Sequence, residues 1–205
     1  MEKRLLFLST ILIMVVALTA PLAVPVHAKK PVKGTTEYAM VVATGTDEAV
    51  AMLRVGKRNW MEPIDLPEVY VDSEGSWVWP TLEGAYWIGC SFQVASPEED
   101  SCYKFISTFE IPGEVVSAKI TISADNAYIL HVNGKLIGVD GNVYRPTPEV
   151  DPLNWQTFEE YDLARALKSG DNTVVVYVRN YGMIDGVWQD NPTALVFKIE
   201  ITYLA

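Results

Sequence analysis

The sequence predicts an all-β protein, an antiparallel β-sandwich or jelly roll with at most one short helix. Three observations predict it: apolar residues recur with period two, glycine and proline punctuate the runs, and helical periodicity is almost absent. "ALVFKIEITY" is the clearest run, with Leu195, Phe197, Ile199, Ile201 and Tyr203 on one face and Val196, Lys198, Glu200 and Thr202 on the other. "KITISAD" sets Ile120 and Ile122 against Lys119, Thr121 and Ser123, and "YILHVNG" sets Tyr128, Leu130 and Val132 against Ile129 and His131. "NTVVVYVRN" is nearly all β-branched or aromatic and reads as a strand covered on both faces. "EYAMVVAT", "AVAMLRV", "EVYV" and "KFISTFEI" are further strands, separated by Gly45, Gly56, Pro63, Pro67, Gly75, Pro80, Gly84 and Pro112-Gly113. Only "YDLARALKSGDN" reads as helical, for one or two turns, with Leu163 and Leu167 four apart and Gly170 as a stop.

The N-terminus reads as a secretory signal. Glu2-Lys3-Arg4 precede an apolar run from Leu5 to about Leu18, and Val26-His27-Ala28 is a small-residue cleavage site. The expected organisation is a signal peptide over 1–28, a flexible segment over 29–36 and one β-sandwich domain over 37–205. The apolar run is short for a membrane span and breaks at Pro21, so no stable span is expected after cleavage. Localisation is expected to be extracellular or at the cell surface.

The formal net charge is −10, and a chain of that sign repels phosphate backbones, so nucleic acid is a poor partner. Cys90 and Cys102 both follow the signal. In an oxidising compartment an even count reads as one disulfide, contributing about 2–4 kcal/mol by closing the intervening loop.

"SADNAYILHVNGKLIG" is the most informative stretch, gathering Asp125, Asn126, His131 and Asn133 around one strand. Asn133-Gly134 between two alternating runs is a hairpin signal, because both turn positions favour positive φ. Asp125-Asn126 lies one strand length earlier, where these side chains are good turn formers. The cluster therefore reads as turn chemistry before it reads as a site.

These residues also carry a family resemblance. Ala124-Asp125-Asn126, Tyr128, Val132-Asn133-Gly134, Tyr161-Asp162-Leu163, Gly170, Asn172 and Asn180 form a pattern similar to the galactose-binding-domain-like jelly roll. Related modules serve as sugar-binding lobes of large β-galactosidases and α-rhamnosidases. The resemblance covers residues 85–203; residues 37–84 add strands outside it, and there is no room for the catalytic domain that accompanies such lobes. It implies a fold and a broad carbohydrate association, not a particular ligand.

No catalytic constellation is visible. His131 is the one histidine after the signal, and no nucleophile elbow, zinc-protease motif, phosphate loop or dinucleotide fingerprint occurs. Tryptophans are the more suggestive resource: Trp60, Trp77, Trp79, Trp87, Trp155 and Trp188. Trp87 and Trp155 read as plugs of the sandwich ends. The long loop "NYGMIDGVWQDNP" offers Tyr181, Asp185, Trp188, Gln189 and Asp190 as ligand contacts, with aromatic faces for sugar C–H groups and polar side chains for hydroxyls. Asp140, Asn142, Asp185 and Asp190 are candidate ligands for a structural calcium ion. The expected function is a secreted, non-catalytic module binding carbohydrate. The alternative is an extracellular structural subunit that self-assembles by adding "TTEYAMVVAT" to a neighbour's sheet. Partners are accordingly carbohydrate or extracellular protein.

Overall fold

A computed structural model describes residues 36–45, 50–55, 60–66, 69–71, 76–89, 102–144, 154–180, 183–184, 187–188 and 193–205. The chain divides into the units Met1–Lys33 and Gly34–Ala205, and all described residues belong to the second. Its strands are β1 (Glu37–Ala43), β2 (Val50–Arg54), β3 (Trp60–Met61), β4 (Ile64–Asp65), β5 (Val69–Val71), β6 (Ser76–Val78), β7 (Ile88–Gly89) and β8 (Cys102–Ile111). They continue with β9 (Glu114–Asp125), β10 (Ala127–Val132), β11 (Lys135–Asp140), β12 (Glu159–Asp162), β13 (Gly170–Arg179), β14 (Met183–Ile184), β15 (Val187–Trp188) and β16 (Ala194–Leu204).

Two six-stranded antiparallel sheets form a sandwich. One runs β12-β9-β16-β7-β4, with β1 also paired to β16; the other runs β11-β10-β13-β8-β2-β3. The segments outside the resemblance are therefore not a separate lobe: β1 and β4 extend the first sheet, β2 and β3 the second. The segment "EYAMVVA" pairs with β16 from Glu37↔Leu204 to Ala43↔Lys198, as a strand of its own sheet.

Period-two patterning becomes burial as expected. Ile120, Ile122, Tyr128, Leu130, Val132, Val174, Val176, Val178, Leu195, Phe197, Ile199 and Ile201 share one interior with Phe105 and Ile111. A second apolar cluster lies on the opposite side of β16, where Ala194 and Val196 pack with Leu66, Trp79, Trp87 and Trp155. Trp79 and Trp87 meet edge to face at 4.5 Å, and Trp87 Nε1 donates to the Pro80 carbonyl at 3.0 Å. Trp87 and Trp155 thus cover the outside of the first sheet rather than capping the interior.

Two readings change. "NTVVVYVRN" is buried on one face only: Val174, Val176 and Val178 point inward, while Thr173, Val175, Tyr177 and Arg179 stay partly exposed. "YDLARALKSGDN" is not a helix. Tyr161 and Asp162 finish β12 on the edge of β9, and Asp162 Oδ1 accepts the Ala164 amide at 2.9 Å. A single turn follows, with Ala166 and Leu167 amides both donating to the Leu163 carbonyl. The described helical structure is a 3-10 turn at Asn154–Gln156.

The turn is locked by side-chain amides. Asn172, buried, donates through Nδ2 to the Lys168 and Gly170 carbonyls at 2.7 Å each and accepts the Lys168 amide at 3.0 Å. Asn133, at φ 51° beside Gly134 at 79°, makes the tight β10–β11 turn. Its Nδ2 donates to Asn172 Oδ1 and to the Ala166 carbonyl, both at 2.8 Å, and its Oδ1 accepts the Thr173 amide at 3.0 Å. The "VNG" and "LKSGDN" parts of the pattern are one clasp joining a hairpin to the turn before β13.

Replacing Asn172 by Ala removes its bonds to the Lys168 and Gly170 carbonyls and to the Lys168 amide, and one of the two made by Asn133 Nδ2, and should cost about 1–3 kcal/mol. Urea denaturation of the wild type and Asn172→Ala checks this, with Asp171→Ala, at an exposed neighbour, expected to leave stability nearly unchanged.

Candidate functional site

The polar cluster divides between structure and site. Asp125 and Asn126 are buried at the corner where the chain leaves β9 in one sheet and enters β10 in the other. The Asn126 amide donates to the Arg179 carbonyl at 2.8 Å, fixing β10 against β13. Asn133 belongs to the clasp. His131 faces outward, where sequence alternation puts it.

On that outer face is a hollow of about 230 Å³, lined by Ile129, His131, Leu136, Val139, Gly141, Asn142, Val143 and Tyr144. A shift in register between Leu130 and His131 pairs His131 with Leu136 and brings both to the rim. Ile129 and Val143 form a buried apolar floor. Leu136 and Val139 are about half exposed, and Tyr144 is 78% exposed. The residues leading into it are fixed by two bonds: Asn142 Oδ1 accepts the Tyr144 amide at 3.1 Å, and Arg179 Nη1 donates to the Val143 carbonyl at 2.8 Å. The His131 ring meets Tyr177 edge to face at 6.0 Å, and its buried Nδ1 has no hydrogen-bond partner among the described residues. The arrangement offers an exposed tyrosine, apolar walls and a histidine ring at the rim. It fits a ring-sized ligand, since pockets for drug-sized ligands start at about 300 Å³.

A separate polar group lies on the inner side of the same hairpin. The fully buried Tyr128 hydroxyl lies 3.0 Å from that of Tyr161 and 3.3 Å from Glu159 Oε2, which it reaches as donor. Thr157 Oγ1 donates to Glu159 Oε1 at 3.0 Å. The Tyr161 ring lies where a Cβ on Gly138 would stand, so this glycine admits the contact between the two sheet edges. Burial raises the pKa of both tyrosines, and it raises the Glu159 carboxyl with help from the nearby Asp140 charge. This group ties sheet edge to sheet edge.

Of the residues singled out in the sequence, Asn142 lines the hollow. Asp140 sits opposite Tyr128 on the inner side. Among the described residues no group of three or more His, Cys, Asp or Glu could hold a metal. The proposed ligand loop contains a small hairpin, with Met183 opposite Trp188 and Ile184 opposite Val187. Tyr181, Asp185, Gln189 and Asp190 lie outside the described residues, as does Cys90; Cys102 is half-buried at the start of β8. Leu136, Val139 and Tyr144 escaped sequence reading. The signal for the first two was present in "KLIGVD", which carries apolar residues on both faces of an edge strand.

No family model matches the chain. Over 110 residues it is 29% identical to an α-L-rhamnosidase of Streptomyces avermitilis, covering 53% of this chain and 10% of that enzyme. Among solved structures, the Streptomyces avermitilis α-L-rhamnosidase complexed with L-rhamnose aligns with a TM-score of 0.40 at 21% identity, covering 54% of this chain and 10% of that one. The β-D-mannosidase of Dictyoglomus thermophilum aligns with a TM-score of 0.39 at 14% identity, covering 69% and 16%. The chain spans about a tenth of the curated relative it matches, and its likeness is to one segment of that enzyme.

Glu159 binds its proton more tightly when folded than when unfolded, so its contribution to stability falls as pH rises through and above the ordinary carboxylate range. Glu159→Gln keeps an oxygen for the Tyr128 hydroxyl and removes the buried charge. Its melting temperature should exceed the wild type's at pH 7, with the difference closing as pH falls below about 4.3.

Proposed function

We propose that the chain is a non-catalytic carbohydrate-binding module of an exported protein, and that the hollow on the outer side of β10 and β11 holds the sugar. One observation carries this reading: an exposed tyrosine with its hydroxyl, and a histidine ring at the rim, stand over an apolar floor on a hydrogen-bonded sheet. Sugars present apolar C–H faces and hydroxyl rims, so they need both kinds of surface together. Supporting it, the segment that matches the α-L-rhamnosidase covers only 10% of that enzyme, as an accessory part would. The signal-like N-terminus fits an exported protein. Trp188 and its neighbours remain a second contact region in this proposal, and a calcium ion held by Asp185 and Asp190 would stiffen it. The strand-donating subunit is the weaker alternative, because the segment it would donate is already paired with β16.

The test is binding of Lys29–Ala205 to a broad glycan array, with calcium and with EDTA, followed by calorimetry on any glycan retained. Tyr144→Ala should weaken binding at least tenfold, about 1.4 kcal/mol, without changing the melting temperature by more than about 2 °C. Binding that survives Tyr144→Ala and is lost in Trp188→Ala would move the site to the β14–β15 hairpin.

A further inference from the structure

The hollow is one end of a larger feature. Two cross-strand rows run outward from it over the outer face of the second sheet. One is Val139, Ile129, Tyr177, Lys104 and Leu53; the other is Leu136, His131, Val175, Ile106 and Ala51. Directly opposed residues on neighbouring strands share a face, so these side chains form a continuous, largely apolar track across β11, β10, β13, β8 and β2. The charged side chain within it is Lys104, whose Nζ is held 5.8 Å from the centre of the Tyr177 ring. Tyr177 in turn contacts His131, so hollow, aromatic ring and ammonium follow one another by direct contact. Arg179, on the same face of β13 as Tyr177, backs the hollow through Val143.

Among the described residues, no acid is opposed to a member of either row. Asp140, next to the hollow in sequence, turns to the inner side with Tyr128 and Glu159. Glu110 and Asp171, which also face outward, are opposed to one another six residues along β8 from Lys104. At strand rise that is about 20 Å away, twice the screening length at moderate salt. The outer face of the first sheet carries both signs, with Lys119 bridged to Glu160 at 2.6 Å and Lys198 at 3.9 Å from Glu200. On a chain of net charge −10, the track carries an ammonium, Lys104, set beside an aromatic ring.

Resting on the carbohydrate reading above, we infer that the ligand is an acidic polysaccharide, a uronate-bearing chain seated by one ring in the hollow and carrying a carboxylate to Lys104. A sugar ring over Tyr177 replaces water on an apolar surface, and a carboxylate beside Lys104 makes a charge-assisted hydrogen bond. The neutral form of the same chain gains the first contact and forfeits the second.

Calorimetry of Lys29–Ala205 with polygalacturonate, alginate and glucuronoxylan, each beside its carboxyl-reduced form, tests this, with polyglutamate as a sugar-free polyanion. At least one uronate chain should bind about tenfold or more tightly than its reduced form and weaken with added salt. Lys104→Gln, which keeps the stem over Tyr177, should erase that difference at an unchanged melting temperature. Equal binding of native and reduced chains, abolished by Tyr144→Ala, would overturn the acidic specificity and leave the hollow as a sugar site. Polyglutamate binding as well as the uronates would overturn it in favour of a general polyanion surface. Binding of neutral array glycans alone would overturn the inference, and no binding to any glycan would overturn both readings.

Discussion

The corner at Asp125–Asn126 decides which side chains share the interior. There the chain passes from β9 in one sheet to β10 in the other, and the residues on either side are pinned to Ala194 and Arg179. Because strand side chains alternate, a slip of one residue at this corner would send Tyr128, Leu130 and Val132 outward and bring Ile129 and His131 in. Tyr128 is then lost to the inter-sheet contact with Tyr161, and the outer hollow loses its floor and its histidine. The interior and the candidate site are two sides of one register.

The two outer faces have been given different surfaces. The first sheet is covered near the start of β16 by Trp79, Trp87 and Trp155, and beyond them it carries ionic pairs. The exposed Lys119–Glu160 pair adds little to stability, but such charges keep a flat sheet face wetted. The second sheet shows Val175, Tyr177, Ile106 and Val139 at partial or full exposure, with few charges. A contiguous row of apolar side chains across a sheet face is a mark of an interaction surface.

The long strands were legible because their apolar alternation is the physical cause of their burial. β9, β10, β13 and β16 stand where "KITISAD", "YILHVNG", "NTVVVYVRN" and "ALVFKIEITY" place them. The short pairs β3, β4 and β7 were not legible. Strands of two residues are defined by their partners, such as Ile64 opposite Gly89, and carry no period of their own. The helical reading of "YDLARALKSGDN" failed because β9 offers an open edge to Tyr161 and Asp162, and side-chain amides close the remaining turn. The hollow was half legible: alternation turned His131 outward, but the register shift that gathers Leu136 beside it is a tertiary event. The resemblance motif was read as a pattern of letters, and its cause is the contact between Asn133 and Asn172 across 39 residues.

The first and last described residues are bonded to one another: Thr36 and Ala205 exchange both backbone hydrogen bonds, at 3.3 and 3.2 Å. From that point β1 and β16 run side by side and antiparallel. Tension applied through these two ends acts across the strands rather than along them, so the ladder opens one rung at a time instead of shearing as a block. Held by one end alone, the sandwich bears no such load. Carried in line between two anchors, it would behave as a soft link that lengthens at low force by peeling β1 from its sheet, while the β9–β16 pairing behind it stays shut.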